Sequence, residues 1–266
     1  MESLLKQEYF HAGTDHIYKE LWLNIQMEQI HQFSKPYGGL WTSHLRIDSN
    51  RICDWIDYLD EQNKIQLEHL SYKKSCLVKF KENTKFLDIQ TINDFKNLKD
   101  SGFIKNIQNP NFSELLDYEK IADYYDLLYV KFGIHPSFKN FSINTMLALN
   151  IDSIEYYKPI TVDYTNQKIT SIGSKKQIAE PNENYYQLVD YITELFNDME
   201  IDYINYNEYV NTLYHNIQKI INMIKEVNPE LNIQKDINAD FLIKTIVQNI
   251  YREKYLQKQK TLKKQV

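Results

Sequence analysis

The chain has 266 residues, 42% of them apolar and 25% charged, and its 31 Lys and Arg against 36 Asp and Glu leave a net charge of −5. That length allows one large domain or two smaller ones around a real core, and the acidic balance gives no global attraction to nucleic acid or to an anionic membrane. Two cysteines, Cys53 and Cys76, lack Cys-x-x-Cys spacing, which excludes a disulfide framework and a zinc ribbon and points to a reducing compartment. The first ten residues hold no apolar run of the signal-peptide kind, and no segment approaches the roughly 18 apolar residues that span a bilayer, so the expected location is the cytoplasm.

In chain order, Thr14 and Asp15 are helix-capping types, and Ile17, Leu21, Ile25 and Ile30 follow at roughly helical intervals, which predicts a helix over 16–33. Pro36 and Gly38-Gly39 break that pattern and open an extended segment over 40–45. Trp55, Tyr58 and Leu59 predict a second, short helix. Cys76 to Phe80 and Lys85 to Ile89 read as strands joined by Glu82-Asn83-Thr84, with further strands at 127–132, 152–157 and 160–164, together a mostly antiparallel sheet. After Pro181 the pattern turns helical: Tyr185, Leu188, Val189, Ile192, Leu195, Phe196 and Met199 share one stripe. A second helix is expected over 206–227, stopped by Pro229, and a third from Asp240. From Tyr251 onward six basic residues and one acid give a local charge of +5 against −10 for the rest. Thr165 to Glu183 is the most linker-like stretch, so the chain divides into an α+β domain over 1–180 and a helical segment of about three helices over 181–266.

Two segments carry chemistry. Tyr9-Phe10-His11-Ala12-Gly13-Thr14 reads as a short strand that brings a histidine next to backbone without a Cβ. Lys35-Pro36-Tyr37-Gly38-Gly39-Leu40-Trp41-Thr42-Ser43 then places two glycines before an aromatic ring and a hydroxyl, which lets a ligand lie against backbone beside an indole face. Neither a Gly-x-x-x-x-Gly-Lys loop nor a Gly-x-Gly-x-x-Gly turn occurs, and the seven histidines are scattered without metal-ligand spacing.

The pair of segments resembles the ADP-ribosyltransferase superfamily, in which a strand of the type aromatic-His-Gly-Thr is followed by a Gly-rich strand with an aromatic and a Ser or Thr. The resemblance covers roughly residues 9–160 and implies a split, mostly antiparallel sheet of that type, with NAD as the substrate. It further implies that His11 bonds a ribose hydroxyl with Ala12, Gly13 and Thr14 close by, that Trp41 lies beside the nicotinamide, and that Ser43, with Thr42 as alternate, sits near the ribose. Breaking the bond between nicotinamide and ribose passes through an oxocarbenium-like transition state, so the dinucleotide must be held, its ring fixed, and a polar or acidic group must orient ribose and nucleophile. The family's third motif is an acid at the start of a later strand. Asp126, directly before Leu127-Leu128-Tyr129-Val130, fills that place, Glu155 is the second candidate, and Asp117-Tyr118-Glu119 has the spacing but falls in a helical stretch.

The expected activity is therefore ADP-ribosyl transfer from NAD to a macromolecule, protein or nucleic acid, as in a bacterial toxin or a phage-encoded effector, without membrane attachment. The rival expectation is a non-catalytic interaction protein on the same fold, whose C-terminal helices bind a protein partner.

Overall fold

In the computed structural model the described residues are 2–19, 22, 24–25, 36, 38–45, 53–61, 74–109, 112–135, 138, 141, 143–163, 168–178, 183–197 and scattered positions beyond. A short helix α1 (Glu2–Leu5) leads into β1 (Glu8–Ala12), followed by β2 (Leu40–His44), α2 (Asp54–Glu61), β3 (Lys74–Phe80) and β4 (Phe86–Ile89). Then come α3 (Ile92–Asp100), β5 (Ile104–Asn109), β6 (Phe112–Leu116), α4 (Tyr118–Tyr124), β7 (Leu127–Val130) and β8 (Thr145–Ala148). A 3-10 turn at Ile151–Ser153 precedes β9 (Ile154–Asp163) and β10 (Lys168–Ile172).

Eight strands form one sheet in the order β10-β9-β3-β1-β2-β8-β7-β4, and β5 and β6 form a separate ribbon. The class is α+β, but the expected split, mostly antiparallel architecture is corrected: the strands form one mixed eight-stranded sheet, antiparallel at six of its seven pairings and parallel where β4 meets β7, Phe86 opposite Leu127 and Ile89 opposite Val130. Parallel neighbours need a crossover connection. Here α3, the ribbon and α4 supply it, so β4 leaves β3 for the far edge of the sheet. Both crossover helices begin on side-chain caps. Thr91 and Asp94 form a capping box on α3, and Asp117 accepts from the Lys120 N–H at the start of α4.

The helix expected over 16–33 is corrected over its described residues, 16–19, 22, 24 and 25. The described residues there are irregular, with a single turn where Trp22 N–H donates to Lys19 C=O at 3.1 Å, and 26–35 lie outside the described residues. Ile17 and Ile25 are buried, so their spacing reflects contact with the sheet rather than a helical face. The two extended pieces expected at 152–157 and 160–164 are one continuous strand, β9.

Side chains alternate across the strands, and both faces are covered. One face carries a continuous core of Tyr9, Val78, Phe80, Leu127, Met146 and Tyr157 with their neighbours. The other face carries two cores: Phe10, Leu77, Ile56 and Ile160 on one side, and Leu128, Val130, Leu147, Phe95 and Phe141 under α3 and α4 on the other. Gly39 sets β2 against β8: its φ is +64°, and a Cβ there would lie 2.5 Å from the Ala148 carbonyl oxygen.

Contacts divide the chain into Met1–Ala179 and Glu180–Val266. The second unit begins with α5 (Glu183–Asn197), in which Ile192 is buried, and further on the helical residues Ile246, Val247, Tyr251 and Tyr255 are buried. Most of the other two helices expected there fall outside the described residues.

Candidate functional site

The site arises where two neighbouring strands stop pairing. β1 and β2 pair only through Tyr9 with His44 and Phe10 with Ser43. Beyond that point His11 and Ala12 continue on β3, opposite Cys76 and Ser75, while Leu40, Trp41 and Thr42 continue on β8. The strands diverge, and a cavity of about 340 Å³ opens at the divergence. Phe10, His11 and Ala12 of β1 face Trp41, Thr42 and Ser43 of β2 across it. Trp55 of α2, Pro36, Ile143 and Thr145 complete the wall. That volume is near the lower end of ligand pockets, roughly 300–1,000 Å³.

His11 bridges the opening. Its Nδ1 lies 2.8 Å from the Trp41 carbonyl oxygen, so the ring donates through Nδ1–H and presents Nε2 as an acceptor. Burial pulls the imidazole below its ordinary range, against the raising effect of the Trp41 carbonyl, so the ring is neutral near pH 7. Among the described residues Nε2 has no hydrogen-bond partner. The indole of Trp41 leans on Phe141, ring centres 5.8 Å apart, and that of Trp55 on Tyr58 at 5.7 Å, so packing holds both walls.

The two hydroxyls of β2 differ. Thr42 donates to the Met146 carbonyl at 2.8 Å and is committed to the sheet. Ser43 is 2% exposed, and its Oγ has no oxygen or nitrogen partner among the described residues; it lies against the Cys53 thiol, which burial pushes up to about 11. A buried hydroxyl without a good partner costs roughly 1–3 kcal/mol.

No family model, curated protein or solved structure matches this chain. Its chemistry is accordingly read from the cavity itself.

Of the residues singled out in the sequence, His11, Ala12, Trp41, Thr42 and Ser43 line the cavity together. Gly13 and Thr14 do not. Gly13 turns the chain at φ +97°, and Thr14 Oγ1 accepts from the His16 N–H and donates to the His16 carbonyl, so this pair closes a turn after β1. Neither acid reaches the cavity. Asp126 stands at the start of β7, beside the end of β8 opposite to Thr145, about 10 Å away along the strand. Its carboxylate accepts from the Lys85 N–H at 3.2 Å and from Asn150 Nδ2 at 3.1 Å, tying three loops together. Glu155 is exposed at a bulge where β9 meets β3, whereas the β9 residue level with Phe10 through Leu77 is Lys158. Asp117 and Glu119 serve α4, where Asp117 also pairs with Lys105 at 2.8 Å.

Sequence reasoning passed over Trp55, Thr145 and Ile143. Trp55 reads as helix core beside Tyr58, and the short run from Thr145 to Ala148 carries no periodicity that marks a strand.

Proposed function

We propose that this protein binds NAD with the nicotinamide end in the cavity between β1 and β2, and transfers ADP-ribose to a macromolecular acceptor in the reducing cytoplasm. The observation that carries the reading is the 2.8 Å contact between His11 Nδ1 and the Trp41 carbonyl oxygen, which fixes the tautomer of a neutral ring. A neutral ring that donates to Trp41 keeps Nε2 as an acceptor at an aromatic-walled opening, where a ribose hydroxyl can donate to it. Trp41 and Trp55 line the opening and supply aromatic surface for a flat ring. The small volume suits one end of a dinucleotide, with the rest directed outward. In the transfer the ribose C1′ to nitrogen bond breaks, nicotinamide departs with the bonding pair, and an acceptor atom bonds C1′ and loses a proton.

The second reading, a module that binds NAD or a partner without turnover, is favoured by one observation: neither Asp126 nor Glu155 borders the cavity. Incubation with radiolabelled NAD and a cell lysate separates the two. Released nicotinamide together with a labelled macromolecule supports transfer. Absence of both, with NAD still raising the melting temperature, supports the binding module.

A further inference from the structure

We propose that Lys176 is a nucleophilic amine, that His16 and Asp15 are the base and the orienting acid that activate it, and that it takes up an activated acyl group, presented as a thioester or an acyl phosphate. This site goes beyond the nicotinamide reading. None of the three residues is among the described lining of the cavity, and His16 packs instead against Tyr157 of the closed face, ring centres 6.4 Å apart.

The three side chains stand in series. His16 Nδ1 lies 3.0 Å from Asp15 Oδ1, and His16 Nε2 lies 3.0 Å from Lys176 Nζ. A carboxylate only accepts and an ammonium only donates, so the ring carries its proton on Nδ1 and turns the Nε2 lone pair to the amine. Nucleophile, base and orienting group within hydrogen-bond reach of one another are what activation of a weak nucleophile requires. Burial acts to raise the Asp15 carboxyl, but the hydrogen bond and field of His16 and then the Lys74 ammonium outweigh it and hold it below its ordinary range. An ionised Asp15 stabilises the imidazolium that forms when His16 takes a proton. Ring and amine are both held in place. Tyr18 stacks on His16 with 6° between the planes, and the imidazole is 17% exposed. The Lys176 N–H donates to the Tyr157 carbonyl at 2.8 Å and its carbonyl accepts from the Tyr157 N–H at 3.0 Å, while the residue itself is partly exposed, so a donor can reach it.

In the step, the Lys176 ammonium passes a proton to His16 Nε2 and its lone pair attacks the acyl carbonyl carbon. The new C–N bond forms, the C–S or C–O bond to the leaving group breaks, and the thiolate or phosphate departs with the bonding pair and takes the second amine proton. Lys175 is the internal control: it is exposed, and its ammonium sits 4.1 Å from the Tyr156 ring centre, a partner that accepts no proton. The full chain is incubated separately with acetyl-CoA and acetyl phosphate, and each lysine is followed by peptide mass spectrometry. Lys176 should be acetylated at least about tenfold faster than Lys175 with one or both donors, the larger ratio identifying the donor class. His16→Gln, which keeps hydrogen bonding but has no basic nitrogen, should bring the ratio to about one, and Asp15→Asn should give an intermediate ratio with Lys175 unchanged. Equal rates at the two lysines with both donors overturn the proposal without any variant, and so does an unchanged ratio in a folded His16→Gln protein. Neither result bears on NAD binding in the cavity.

Discussion

The two faces of the eight-stranded sheet are built from the same strands but packed in different ways. On one face Tyr9, Val78, Phe80, Leu127, Met146 and Tyr157 form a single unbroken core. On the other, one core gathers around Phe10 and Ile56 and another around Leu147 and Phe141, with Trp55 packed against the first and Trp41 against the second. The cavity therefore comes from a change in strand pairing after Phe10 and Ser43, not from a shortage of large side chains. A closed face should answer to mutation in stability, and an open one in binding.

The largest expected effect lies on the closed face. Phe80 is fully buried there, and Phe80→Ala should cost about 3–5 kcal/mol in urea unfolding. Trp55→Ala, on the open wall, should cost less than about 2 kcal/mol and instead abolish most ligand binding. Equal destabilisation by the two would erase the distinction between the faces. The two glycines that flank the cavity sharpen it further. Gly39→Ala drives a Cβ to 2.5 Å from the Ala148 carbonyl and should lower stability by at least about 2 kcal/mol. Gly13→Ala has open space around it and should cost only the backbone strain, about 1 kcal/mol, as read by thermal unfolding.

Asp126→Ala probes a carboxylate that the fold uses. Loss of its bonds to Lys85 and Asn150 should destabilise the protein by about 1–2 kcal/mol with NAD affinity unchanged. A variant of full stability with weaker binding would move Asp126 back toward the site. The smallest effect concerns Asp88, on the closed face, whose Oδ1 is buried without a hydrogen-bond partner among the described residues. Burial raises its carboxyl above the ordinary value, opposed by the bond from Gln90. The folded state then holds its proton more tightly than the unfolded chain, so this contribution is full below the unfolded value and falls as pH rises through the folded one. Urea unfolding between about pH 3 and pH 7 should show the stability of the unaltered protein declining relative to Asp88→Asn. A constant difference would contradict the burial argument.

What the sequence disclosed follows the range of the forces involved. The cavity strands were legible because Gly38-Gly39 before Trp41-Thr42-Ser43, and His11 at a strand end, are local patterns. The parallel pairing of β4 with β7 was not, because pairing partners lie about forty residues apart and both runs read equally well as antiparallel strands. Asp126 illustrates the limit for chemistry. Its position before an apolar strand is visible in sequence, but its engagement by Lys85 and Asn150 depends on three segments meeting in space.

The proposed function requires that the neutral imidazole of His11 receive a ligand hydroxyl at the mouth of this cavity. Calorimetric titration of NAD into the full chain and into its His11→Ala variant tests it most directly. Saturable one-to-one binding is expected, weakening by about tenfold in the variant, the worth of one neutral hydrogen bond in a buried site. No binding by the unaltered protein, or equal affinity in a folded variant, would contradict it.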